Sequence, residues 1–145
     1  MEKLNFSIEI KATKQKVWSI LLNDKTYRTW TSVFAEGSYA VTDWKEGSKA
    51  LFLDGKGQGM VSTIAKNIPN EFLSIKHLGF VKNGIEDTES DEVKAWAGAM
   101  ENYTLKENGG ITELKVDMDS NAEFKNYFSE TWPKALEKVK ELSEK

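Results

Sequence analysis

The chain has 145 residues, 39% hydrophobic and 30% charged, with 5 Trp, 7 Phe, 4 Tyr and only 2 Pro, which suits one packed core and excludes intrinsic disorder. Its net charge of −3 comes from interleaved acidic and basic residues, leaving no basic stripe for a nucleic-acid backbone or an anionic membrane surface. The absence of cysteine excludes disulfides and thiol chemistry, and the opening residues hold neither a signal peptide nor an apolar span, so a soluble, cytoplasmic protein is expected.

Residues 4–10 alternate, with Leu4, Phe6, Ile8 and Ile10 on one side and Asn5, Ser7 and Glu9 on the other, the period of a half-buried strand. Thr13 is placed to cap a helix whose apolar stripe is Val17, Trp18, Leu21 and Leu22. Asn23-Asp24 interrupts that helix, and a second short helical turn carries Tyr27 and Trp30. From Ser38 to Met118 the pattern is one of strands and turns, with strands expected at 38–44, 48–54, 59–66, 71–81, 96–106 and 111–118.

After Asp119 the period returns to 3.6, with Phe124, Phe128, Trp132, Leu136, Val139 and Leu142 on one face. Ser120-x-x-Glu123 reads as a capping box at the start of a helix of roughly six turns. Pro133 lies inside it, where it removes the bond to the Ser129 carbonyl and either bends the axis or marks a break. No linker, repeat or composition shift divides the chain, so residues 1–145 read as a single α+β domain in which a meander of strands packs on a long C-terminal helix.

Residues directly opposite in an antiparallel pair share a face, so two hairpins can be registered by arithmetic. With Asn108-Gly109 as the tip of the last hairpin, Tyr103 opposes Leu114, Glu101 opposes Val116 and Ala99 opposes Met118. With Ile68-Pro69 at the centre of the earlier turn, Ile64 opposes Leu73, Ser62 opposes Ile75 and Met60 opposes His77. The apolar partners mark both faces as inward, which brings the only histidine, Glu101 and the Tyr103 hydroxyl onto the concave side of the sheet, facing Phe128 and Trp132.

Each of these groups has a structural reading beside the functional one. His77 is a histidine satisfied by backbone carbonyls, a ligand anchor, or a general acid or base. Glu101 among apolar residues must be paired, protonated or functional, with a neighbouring strand or Arg28 as the structural partner. Gly55-x-Gly57-x-Gly59 joins two strands and opens no helix, so it reads as a flexible hairpin and not as a phosphate loop. The acidic run 86–92 lacks the glycine and spacing of a calcium loop and reads as a solvated loop placed to cover a cavity mouth. No cofactor or metal is expected, and no nucleophile–histidine–acid arrangement can be assembled from the sequence.

Several strings resemble the START-like superfamily, also called SRPBCC, which includes the birch pollen allergen. Within it the chain is similar to the C-terminal domain of the heat-shock protein 90 ATPase activator. Phe6 to Trp30, with Ala12, Val17, Trp18 and Trp30, is similar to the family's opening strand and helix. Glu101-Asn102-Tyr103-Thr104-Leu105, Gly110-x-Thr112-x-Leu114 and Trp132-Pro133-x-x-Leu136 are similar to its closing strands and helix. The resemblance implies a helix-grip fold with a cavity between sheet and C-terminal helix, used across the superfamily for lipids, hormones and polyketides and in some members for cyclisation or hydrolysis. The activators possess a separate N-terminal domain that contributes to stimulating the chaperone, whereas this sequence starts at the helix-grip part. It also lacks the carboxylate and histidine metal set of the oxygenase branch.

The leading expectation is a non-enzymatic protein that binds a small, largely apolar or amphipathic ligand. Trp30, Phe34, Met60, Met100, Phe128 and Trp132 are the candidate walls, and His77, Glu101 and Tyr103 the polar anchors. The alternatives are a chaperone-associated partner-binding module and a cavity enzyme using His77 or Glu101 as acid or base. A monomer and a homodimer both remain open at this level.

Overall fold

In the computed structural model, which describes residues 1–145, the chain opens with β1 (Glu2–Ile10), α1 (Lys14–Leu22) and α2 (Asp24–Thr31). The strands β2 (Tyr39–Val41), β3 (Lys49–Leu53), β4 (Gly59–Ile68), β5 (Phe72–Lys82) and β6 (Ile85–Asp87) follow. A short helix α3 (Asp91–Lys94), β7 (Met100–Asn108), β8 (Ile111–Ser120) and the long α4 (Lys125–Ser143) complete it. The strands form one antiparallel sheet of 8 in the order β1-β8-β7-β5-β4-β3-β2, with β6 paired to β5 off this path.

Local chemistry sets the helix starts. Thr13 Oγ1 accepts the Lys16 N–H at 3.2 Å to cap α1, and Asn23 Oδ1 accepts the Lys25 N–H at 3.1 Å to cap α2. The expected capping box at α4 does not form. Ser120 is buried and still belongs to β8, opposite Glu2 of β1, so the Phe124 N–H instead donates to Asn121 Oδ1. Because the strand extends this far, α4 begins later than expected and runs about five turns, passing through Pro133 without a break.

Both expected hairpin registers are corrected by two residues. Tyr103 pairs with Val116 and Glu101 with Met118, because the last hairpin turns on Gly109-Gly110, at φ 62° and 83°. Two consecutive positive φ angles suit the tight turn that matches strand twist, and glycine adopts them freely. Ser62, not Met60, lies opposite His77: the β4–β5 turn is centred on Asn70 at φ 67°, which alone would shift the pairing by three residues, and a bulge at Ala65 between Ile64 and Lys66 brings it back to two. A two-residue shift preserves which face each side chain takes, so the expected inward set survives.

Residues 96–98, expected as strand, form a turn after α3, and the acidic run is built into β6 and α3 with Val93 buried. The long helix packs against β1, α1 and α2. Its C-terminal half contributes Ala135, Leu136 and Val139 to the main core with Ile10, Val17, Leu21, Leu114 and Val116. At the other end of α4, Phe124 and Tyr127 are 44% and 41% exposed, so the apolar stripe continues beyond the packed core. No helix is long and apolar enough to cross a membrane.

A Cβ built on Gly59, opposite Leu53, would lie 1.8 Å from the Phe52 carbonyl oxygen. Gly59→Ala is therefore expected to lower stability by about 1–3 kcal/mol, the usual range for overpacking, as read from the urea midpoint.

Candidate functional site

The exposed aromatics of α4 border a cavity of about 590 Å3 between that helix and the sheet. Its lining comes from α2 (Tyr27, Trp30), β3 (Phe52), β4 (Met60), β5 (His77, Phe80), β7 (Glu101, Tyr103) and α4 (Phe128, Trp132). A bulge at Leu78 shapes the β5 wall: His77 pairs with Ser62 but Gly79 with Val61, leaving Leu78 unmatched. In a regular strand residues three apart face opposite ways. The extra residue allows both His77 and Phe80 to line the cavity.

Of the residues expected from sequence, Trp30, Phe34, Met60, His77, Glu101, Tyr103, Phe128 and Trp132 all line the cavity. Met100 does not: it pairs with Lys76 and neighbours Glu101 along β7, so strand alternation turns its side chain to the other face. Sequence reasoning missed Phe52, Phe80 and Trp96 on the lining, and Tyr27 was read only as a helix residue. Phe52 was legible in principle, two positions on from the buried Ala50. Phe80 was not, because its orientation depends on the bulge.

Four side chains form a connected polar string across the wall. Ser62 Oγ lies 2.7 Å from His77 Nδ1, His77 Nε2 lies 3.0 Å from Glu101 Oε1, and the Tyr103 hydroxyl donates to Glu101 Oε2. An ionised carboxylate only accepts, so Nε2 carries a proton toward Glu101, and in the neutral ring Nδ1 accepts from the Ser62 hydroxyl. Arg28 is not the partner of Glu101; it pairs with Asp24 at 3.0 Å on the surface. Nor is His77 satisfied by backbone carbonyls, since both ring nitrogens are engaged by side chains.

Burial by itself pushes the Glu101 carboxyl up, but the hydrogen bond and charge of His77 and the Tyr103 hydroxyl outweigh it and hold the carboxyl below its ordinary value. Burial, reinforced by the Glu101 charge, pushes the Tyr103 hydroxyl well above its ordinary range. Tyr27 is raised in the same way, first by burial and then by Glu101. Around neutral pH the string therefore holds a carboxylate and a protonated phenol, with the protonated phenol of Tyr27 nearby.

Ser62–His77–Glu101 has the composition of a hydrolase triad, yet Ser62 is fully buried and absent from the cavity lining, so its hydroxyl cannot meet a substrate. It orients the imidazole. No group of three or more His, Cys, Asp or Glu side chains lies together in a way that could hold a metal ion.

The family model described as "Activator of Hsp90 ATPase homolog 1-like protein" matches residues 11–144. The chain belongs to this family. Solved structures agree on the fold, and the α+β helix-grip architecture of the START-like (SRPBCC) superfamily is the one observed. The Aha1 dimer from Colwellia psychrerythraea is similar at 19% identity, with 99% of this chain and 97% of that one covered and a TM-score of 0.73. DynU16, a protein of the dynemicin biosynthetic locus, is similar at 13% identity and a TM-score of 0.72, with 97% of this chain covered. This chain spans 46% of DynU16, about half of its length. CalU16 from Micromonospora echinospora is similar at 15% identity, with 97% and 75% coverage and a TM-score of 0.67. No curated protein matches the chain. At these identities the likeness of this Aha1-like chain to solved structures is one of fold.

Because Glu101 is held below its ordinary value in the folded chain, its contribution to stability is present above its unfolded value and lost as pH falls through the lower folded value. Glu101→Gln is expected to flatten this loss below about pH 4.5, near the ordinary carboxyl value. Urea unfolding from pH 3 to pH 7 on both proteins measures it.

Proposed function

We propose that this domain binds a small, largely apolar or amphipathic molecule in the cavity between the sheet and α4. The observation that carries the reading is a volume of about 590 Å3 walled by aromatic side chains and furnished with one polar string. Binding cavities for small molecules commonly have a volume of about 300–1,000 Å3, apolar walls and a few convergent polar groups. Trp30, Phe34, Phe128 and Trp132 supply area and shape, while His77, Glu101 and Tyr103 orient the polar end of the guest. Trp132 is held for this role from several sides: its Nε1–H donates to Met118 Sδ at 3.0 Å, and its ring packs edge-on to Phe34 at 4.9 Å.

The state of the polar string favours anchoring over proton transfer. A general acid or base works best with a value near the working pH, whereas Glu101 is displaced downward and Tyr103 upward, both away from neutrality. The chaperone-associated reading is supported by family membership and by the likeness to an Aha1 dimer, and it would place the functional surface outside the cavity. Native mass spectrometry of protein purified from its own cells, compared with the denatured mass, separates the two. A guest released near one-to-one supports the cavity; an empty protein that also ignores a broad lipid and aromatic library supports the partner surface.

Binding of an amphipathic probe is expected with a dissociation constant on the order of micromolar. His77→Ala or Trp132→Ala should weaken it at least tenfold in a calorimetric titration, with circular dichroism confirming that each variant is folded.

A further inference from the structure

The polar string is one part of a closed circuit. Tyr103 meets Trp30 edge-on at 6.4 Å, Trp30 meets Tyr27 at 5.4 Å, Tyr27 meets Phe52 at 6.4 Å, and Phe52 meets the His77 ring at 6.1 Å. Glu101 closes the circuit by bonding both His77 and Tyr103. All six side chains line the cavity, and the Glu101 side chain retains 19% exposure. The result is a carboxylate set in a collar of aromatic rings.

Resting on the cavity reading above, we infer that this collar selects an amphipathic guest whose polar end is a protonated amine, and disfavours one ending in a carboxylate or phosphate. Ring faces attract cations through their quadrupole, more strongly where water is excluded. Each Glu101 oxygen accepts one bond within the protein and keeps a second acceptor position for an ammonium N–H. A buried carboxylate bonded by one imidazole and one phenol gains further from a full opposite charge, and an incoming anion would meet it as a like charge.

The other charges on the lining balance. Asp54 and Asp119, the latter 3.8 Å from Lys3 Nζ, stand against the Lys82 ammonium and the amino terminus of Met1. Lys82 and Met1 are both exposed, and the Lys82 ammonium lies over the Phe80 ring at 5.1 Å. Asp119 accepts the Met100 N–H, and Asp54 accepts the Lys56 and Gln58 N–H groups. Glu101 is thus the carboxylate inside the collar.

The test uses three probes of equal chain length, decylamine, decanol and decanoate, titrated at pH 7 below their aggregation concentrations with tryptophan fluorescence as readout. Decylamine should bind at least tenfold tighter than decanoate, and Glu101→Gln should bring that ratio close to one. Equal or tighter decanoate binding, or a ratio unchanged in a folded Glu101→Gln protein, overturns the inference. Should that variant fail to fold, the wild-type ratio decides alone. If decanol binds while decylamine has no advantage over decanoate, the amine inference falls and the cavity reading stands. If no probe binds, both fall.

Discussion

One helix has to cover a sheet that is wider than it is. Seven strands in sequence, each about 4.8 Å from the next, span roughly 29 Å, whereas a helix with its side chains is about 10–12 Å across. The C-terminal half of α4 meets β1 and α1 closely enough to bury Ala135, Leu136 and Val139, and there the core is dense. Its N-terminal half continues the same apolar stripe beyond the reach of the packed strands, and the space between is the cavity. The cavity is therefore a consequence of matching one helix to a curved sheet, with α1 and α2 filling only part of the remainder.

Such a geometry packs Leu73, Ile75 and Leu105 on the inward faces of β5 and β7 but leaves the stretch around His77 and Glu101 bordering the cavity, where the polar string lies. In a filled core a carboxylate at position 101 would be costly. Here it accepts from His77 and Tyr103 and keeps partial exposure to the cavity, so its charge is both solvated by fixed donors and available to a guest. Ser62 completes the arrangement from the fully buried side by occupying the far imidazole nitrogen, which holds the ring in register with Glu101. The same four residue types could suggest catalysis in another setting. The burial of Ser62, and the displacement of Glu101 and Tyr103 away from neutrality, support the proposed binding role over proton transfer.

Membership of the Aha1-like family fits this division of labour, since what the chain shares with its structural relatives at 13–19% identity is the helix-grip frame. A frame of this kind is retained by packing residues, while in the proposed binding role the guest would be chosen by the side chains that face the cavity. Trp132 illustrates the overlap: it packs on Phe6 at 6.1 Å on one side and contributes to the cavity wall on the other.

The alternation in residues 4–10, the cap at Thr13, the interruption at Asn23-Asp24, and the 3.6 period after Asp119 were legible from the sequence because each depends on near neighbours in the chain. The inward placement of His77, Glu101 and Tyr103 was legible as well, although both registers were displaced: side chains alternate with a period of two, and a two-residue error leaves the face unchanged. Met100 was misplaced where the expectation departed from that same alternation. Three features were decided only by the tertiary structure. The bulge at Leu78 turned Phe80 inward, the pairing of Ser120 with Glu2 delayed the start of α4, and the approach of β5 to β7 made His77, rather than Arg28, the partner of Glu101. Each depends on strand pairing or strand approach in space, which no local periodicity encodes.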